Sequence, residues 1–155
     1  PLSRGASRCM LQAGPKRGGR RMTWGAEHDA VRAVVVDYLE GMCWGDEAKV
    51  RRAFHPGALQ VGHFGETYEF FPLEEFIAWL KAEETAPEGS PIVAELLSIE
   101  VTGTVAVAKL TDTCFGTDFT DYLVMVKDRP DASGRWQIVT KAYHVHAGRG
   151  LPPGA

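Results

Sequence analysis

The apolar residues of this chain change period partway along it, and that switch restricts the fold more than any other feature. Val31, Val34, Val35, Tyr38, Leu39 and Met42 recur at spacings of three and four, one stripe on a helix over about Glu27–Met42. Gly45-Asp46 breaks it, and a short helix over about Glu47–Phe54 is stopped by His55-Pro56-Gly57. Leu59–Phe64 and Glu66–Phe71 read as a hairpin turning at Gly65. Pro72 then opens a third helix, Leu73–Glu84, with Leu73, Phe76, Ile77 and Leu80 on its apolar side and Trp79 alongside. After a loop over Thr85–Pro91 the texture becomes four long β-like runs, Ile92–Val101, Val105–Phe115, Asp118–Lys127 and Trp136–His146. Helices first and a strand meander afterwards is α+β order, distinct from the alternation that builds a parallel sheet.

A length of 155 residues accommodates one core of ordinary size. The predicted domain covers 26–147, between a flexible basic tail over 1–25 and a C-terminal tail over 148–155. Residues 1–22 carry six basic side chains and no acid, whereas all 20 acids follow Met22 against 11 basic residues, a balance of −9. Such an acidic domain is a poor phosphate binder, which argues against nucleic acid as its ligand. The start of the chain reads as a solvated tail, as a transit-like segment whose helix Gly14-Pro15 and Gly18-Gly19 spoil, or as sequence preceding a native start at Met22, the reading favoured here. Residues 1–22 are expected to be dispensable for folding. No run approaches the ~20 apolar residues that span a bilayer, so no membrane partner is expected. Cys9, Cys43 and Cys114 lack CxxC spacing and fit buried reduced thiols, hence a cytoplasmic location.

Particular residues sharpen the architecture. Asp37-Tyr38-Leu39-Glu40-Gly41 precedes Gly45-Asp46 and then Arg51-Arg52-Ala53-Phe54-His55-Pro56-Gly57-Ala58. Phe119-Thr120-Asp121-Tyr122-Leu123 and Gly134-Arg135-Trp136-Gln137-Ile138-Val139-Thr140-Lys141 come later. In this order the segments resemble the nuclear-transport-factor-two-like superfamily, specifically its lumazine-binding branch near the polyketide-cyclase-like (SnoaL-like) proteins, over roughly 26–147. The resemblance implies a cone-shaped, curved antiparallel sheet closed by three N-terminal helices, a cystatin-like roll around one apolar pocket. It does not imply one reaction, since the superfamily holds isomerases, dehydratases, cyclases, epoxide hydrolases and non-catalytic binding domains.

Candidate chemistry is sparse. Asp121 lies in an otherwise apolar run, and superfamily acid/base enzymes place an Asp on a strand facing the pocket, which makes it the first catalytic candidate. The period of a strand leaves its face open, because Asp121 and Tyr122 exchange faces on a one-residue slip. His55 is a second candidate, as a rim acid or base or as a residue that closes the preceding helix. His144-Val145-His146 puts two imidazoles on one face, with His63 or His55 as a conceivable third ligand, but no HxxxH or nearby carboxylate completes a site and no metal is expected. Lys141 reads equally as a contact for an anionic ligand or as a solvated face, and Trp136 as structural. No cofactor motif is present and none is expected.

Tyr38, Phe64, Trp79, Phe115, Asp121 and His144 sit on elements that converge in a cone and are the expected ligand contacts. The leading reading is a binding protein for a small apolar or aromatic molecule. The alternative is a cofactor-free acid/base enzyme (isomerase, dehydratase or cyclase type) that uses Asp121 or a pocket histidine. Apolar residues on both faces of the late strands, such as Leu123 and Met125 against Val124 and Val126, predict a homodimer through the outer face.

Overall fold

A computed structural model describes residues 25–148. Helix α1 (Ala26–Trp44) carries the predicted stripe, with Val31, Val35, Tyr38, Leu39 and Met42 all buried. It ends where Gly45 takes φ 70°, the left-handed conformation that glycine adopts without steric penalty. Asp46 accepts from the Lys49 N–H and so caps α2 (Glu47–Ala53). Gly41 lets the two helices touch, since a Cβ there would come within 2.8 Å of Val50.

The second helix stops one residue earlier than expected. Phe54 is extended (φ −100°, ψ 144°) and begins β1 (Phe54–Phe64), so His55-Pro56-Gly57 belong to a strand. Phe54 pairs with Ile138, and regular pairing resumes only at Leu59 with Thr140. Pro56, which has no N–H to give, occupies that irregular stretch. The hairpin turns at Gly65 into β2 (Thr67–Pro72), and α3 (Leu73–Ala82) follows at once. Its first turn holds Glu74 and Glu75, favourably placed against the helix dipole.

The long strands are β3 (Val93–Thr102), β4 (Val105–Cys114), β5 (Thr117–Lys127) and β6 (Trp136–Ala147). They form one six-stranded sheet in the order β2-β1-β6-β5-β4-β3. The sheet is mixed where an antiparallel one was expected, because β1 runs parallel to β6 while the other neighbours are antiparallel. The physical reason is topological. The β1–β2 hairpin precedes the meander, and α3 returns the chain to the far edge, so the last strand closes beside the first in the same direction.

All three helices pack on one face, where Leu110, Leu123, Met125 and Ile138 of the sheet meet Val35, Leu39, Phe76 and Ile77 in one core. The Glu27 carboxylate ties the start of α1 to the sheet by accepting from Lys127 Nζ and Trp136 Nε1, both at 2.7 Å, which gives Trp136 its structural role. Among the described residues no helix is long and apolar enough to cross a membrane. The expected tails lie, apart from Gly25 and Gly148, outside the described residues.

Candidate active site

Between α3, the β1–β2 hairpin and the β4–β5 turn lies a cavity of about 330 Å³. This is at the small end of the range for ligand pockets. Its walls are aromatic: Phe64 and Phe71 from the hairpin, Phe76 and Trp79 from α3, Phe115 and Phe119 from the β4–β5 region. Phe76 stacks on Trp79, which meets Phe115 edge-on with centroids 5.2 Å apart. Phe115 reaches this position from an unusual backbone. It has φ 54° and the next residue, Gly116, φ 68°, the pair of positive angles that a tight hairpin turn demands. A bulky residue rarely holds that conformation, and here it sits at a cavity wall.

The inner end of the cavity is polar. Strand alternation turns Lys141 and Tyr143 of β6, Asp121 of β5 and Asp112 of β4 towards the helices, and Tyr38 of α1 comes down on them. The Tyr38 hydroxyl donates to Asp121 Oδ2 at 2.5 Å, and Lys141 Nζ stands 3.6 Å from the same oxygen. Asp121 is fully buried, Asp112 is 3% exposed and Lys141 4%. Burial, reinforced by the negative charge of Asp121, pushes the Tyr38 hydroxyl well above the usual tyrosine range, so it remains a donor. Burial and then the Asp121 charge also push Asp112 well above the usual carboxylate range, against the opposing pull of Lys141. Neither Asp112 oxygen nor Asp121 Oδ1 meets a donor among the described residues. The raised value favours the protonated form of Asp112, so the cluster buries less negative charge, which lowers the cost of so closed a site.

A second pair lies on the cavity wall, where the Tyr143 hydroxyl donates to Glu69 Oε2. Burial first, and this bond second, hold the Tyr143 hydroxyl above its ordinary value. Gly62 makes room for that ring, since a Cβ on it would stand 2.8 Å from Tyr143 ring carbons and 2.4 Å from its carbonyl oxygen. Gln60, 1% exposed and also on the wall, has neither amide atom paired among the described residues, so it offers both a donor and an acceptor to a ligand.

Of the residues singled out in the sequence, Phe64, Trp79, Phe115 and Lys141 line the cavity. Asp121 faces inward and reaches the cavity through Lys141, with Tyr38 behind it. Two candidates do not join them. His144 is exposed on the opposite face, because alternation along β6 sends 141, 143 and 145 inward and 144 and 146 outward. His55 is exposed in the irregular part of β1, where its Nδ1 accepts from the Gly57 N–H, so it bonds locally without lining the cavity. On the outer face, His146 pairs with Thr120 Oγ1 and His144 lies beside His63 on the neighbouring strand. Among the described residues no group of three or more His, Cys, Asp or Glu side chains is arranged to hold a metal ion. Asp112, Gln60 and Glu69 escaped sequence reading. Asp112 had a legible signal, since it continues the inward stripe Ala106, Ala108 and Leu110 of β4.

A mixed sheet covered on one face by three helices is the architecture of the nuclear-transport-factor-two-like class. Two solved structures share it, each described as a nuclear-transport-factor-two-like protein of unknown function. The one from Silicibacter pomeroyi matches with TM-score 0.70 and 27% identity, over 80% of this chain and 99% of that one. The one from Shewanella baltica matches with TM-score 0.69 and 26% identity, over 83% and 100%. The chain belongs to the family described as "Putative lumazine-binding", whose model matches residues 26–144. A relative from Cladobotryum sp., named Aldolase FrzH, is 34% identical over 124 residues, 78% of this chain and 93% of the relative.

Proposed function

We propose that the chain binds a small carbonyl compound with an apolar or aromatic body and performs cofactor-free proton transfer on it. The observation that carries this reading is the Tyr38–Asp121–Lys141 cluster at the inner end of the cavity. Burying an ion pair is costly, and a pocket that served only to shelter an apolar molecule would gain nothing from one. Lys141 contacts the ligand, its positive charge stabilises the oxygen of an enolate, and Asp121, held by Tyr38, exchanges protons with the cavity through Lys141. Removing a proton beside a carbonyl is the opening step of isomerisation and of aldol chemistry alike, and the name of the Cladobotryum relative points to the second.

The test is hydrogen–deuterium exchange at the α-carbon of acetophenone, followed by NMR in heavy water with the full chain. Acceleration that falls at least about tenfold in Asp121→Asn is expected, since a positioned acid or base typically contributes 10²–10⁴-fold. Binding of the ketone without acceleration would leave the simpler reading, a binding protein, which the aromatic walls by themselves favour. We also propose that the outer sheet face, where Tyr68, Phe70, Tyr122 and Val126 are exposed, is covered by a second copy of the chain. The buried thiols of Cys43 and Cys114, which face each other across the core, support a reducing, cytoplasmic compartment.

A further inference from the structure

The lysines shielded from solvent among the described residues are not alike. Lys49 and Lys127 close on Glu40 and Glu27 at 2.8 and 2.7 Å, the distances of charge-assisted hydrogen bonds. Lys141 does not close on Asp121. Its Nζ stays 3.6 Å away, and its one hydrogen bond among the described residues is a weak 3.9 Å contact with Met42 Sδ. The Tyr38 hydroxyl already occupies the nearer carboxylate oxygen. The rings of Tyr38, Phe76, Phe119 and Tyr143 surround the amine, with centroids between 5.1 and 5.4 Å. The donors of a nearly buried amine are thus left for whatever fills the cavity that Lys141 lines.

We propose that Lys141 is a covalent nucleophile, forming an iminium with the carbonyl carbon of a bound aldehyde or ketone. This rests on the reading above that a carbonyl compound enters the cavity. The ammonium gives one proton to the Asp121 carboxylate, and the neutral amine adds to the carbonyl carbon. The C=O π pair moves to oxygen, which takes the proton back from Asp121. Asp121 then accepts a second proton from the new C–N nitrogen and returns it to the hydroxyl, which leaves as water as the C=N bond forms. The balance is one ammonium and one carbonyl giving one iminium and one water. The summed charge of Lys141, Asp121 and the carbonyl compound stays at zero throughout, so the closed cluster never holds an uncompensated charge. Gln60, unpartnered on the same wall, can donate to the carbonyl oxygen and to the hydroxyl that replaces it. Lysine amines in water-shielded sites are the usual source of such adducts.

Benzaldehyde is the probe, with sodium cyanoborohydride to reduce any iminium to a stable amine and peptide mass mapping to locate it. Binding is followed in parallel by tryptophan fluorescence, which reports the cavity through Trp79. Lys141 is expected to be labelled at least about tenfold faster than Lys81, whose side chain is 62% exposed. Lys141→Arg should lose the cavity label while labelling of Lys81 stays at the parent's rate, and Asp121→Asn should slow labelling at Lys141. Saturable binding with no preference for Lys141 over Lys81 would overturn the nucleophile and leave the carbonyl-binding reading standing. Neither binding nor selective labelling would overturn both.

Discussion

Along β5, residues 119, 121, 123 and 125 turn towards the helices and are buried, while Tyr122 and Val126, from the alternate set, are among the exposed large apolar side chains. Along β6, Lys141 is buried and His144 is exposed. The inner face of the sheet thus hides charge, and the outer face shows aromatic and aliphatic surface. Both are local departures from the ordinary rule for a half-buried sheet, since most of the inner face is apolar core. Both departures carry information, since buried polar groups and exposed apolar patches are the observations that most often mark function. The inner departure is compact and mutually compensated, a property of a site. The outer one is broad and unpaired, a property of a contact surface.

Breaking the inner face should have the largest effect. Lys141→Met leaves Asp121 and Asp112 without their cation, and the expected loss is about 3–5 kcal/mol in urea denaturation at neutral pH. A loss below about 1 kcal/mol would show that the buried cluster is not electrostatically coupled. Asp112→Asn should act in the other direction and depend on pH. Burial holds Asp112 above its ordinary value of 3.8, so the folded chain binds the extra proton. That contribution is complete below the ordinary value and is lost as pH rises through the folded one. Asparagine mimics the protonated acid. The variant should therefore match its parent's pH dependence below the ordinary value and gain on its parent as pH rises across that interval. Comparing the two proteins at each pH cancels the opposite trend of Glu27 and Glu47, whose values are lowered by bonds to Lys127 and Trp136 and to Lys81 and Arg51. A difference that does not vary with pH would place the proton elsewhere.

The outer face should give little change in stability and a large change in mass. Light scattering is expected to show twice the chain mass of 17.0 kDa, and Phe70→Asp with Tyr122→Asp should halve it. A parent chain that already runs as a monomer would make the apolar outer face a feature without a partner. The smallest effect is expected from His144→Ala with His146→Ala, within about 0.5 kcal/mol of the parent because both are exposed. Elemental analysis that found zinc in the parent and none in this variant would reverse that reading of the outer histidines.

Much of the scaffold could be read without coordinates. The α1 stripe, the stop at Gly45, the turn at Gly65, the α3 face and the four late runs are all local patterns, since helix and strand periods and turn residues act over a few positions. Asp121 was legible as a carboxylate out of place in an apolar strand. Its neighbours were not, because Tyr38, Asp112 and Lys141 stand up to 103 positions apart and meet only when α1 lies across β4, β5 and β6. A period of two cannot say which of two faces is inner, and irregular pairing between Val124 and Met125 further shifts β6 against β5. The same ambiguity put His144 in the pocket on sequence grounds and left Lys141 undecided. The parallel pairing of β1 with β6 likewise has no local signature. What the sequence determined by itself was each element and the turns between them, because those depend on neighbours along the chain. What only the tertiary structure decided was which side chains share the dry end of the cavity, because that depends on register and on long-range packing.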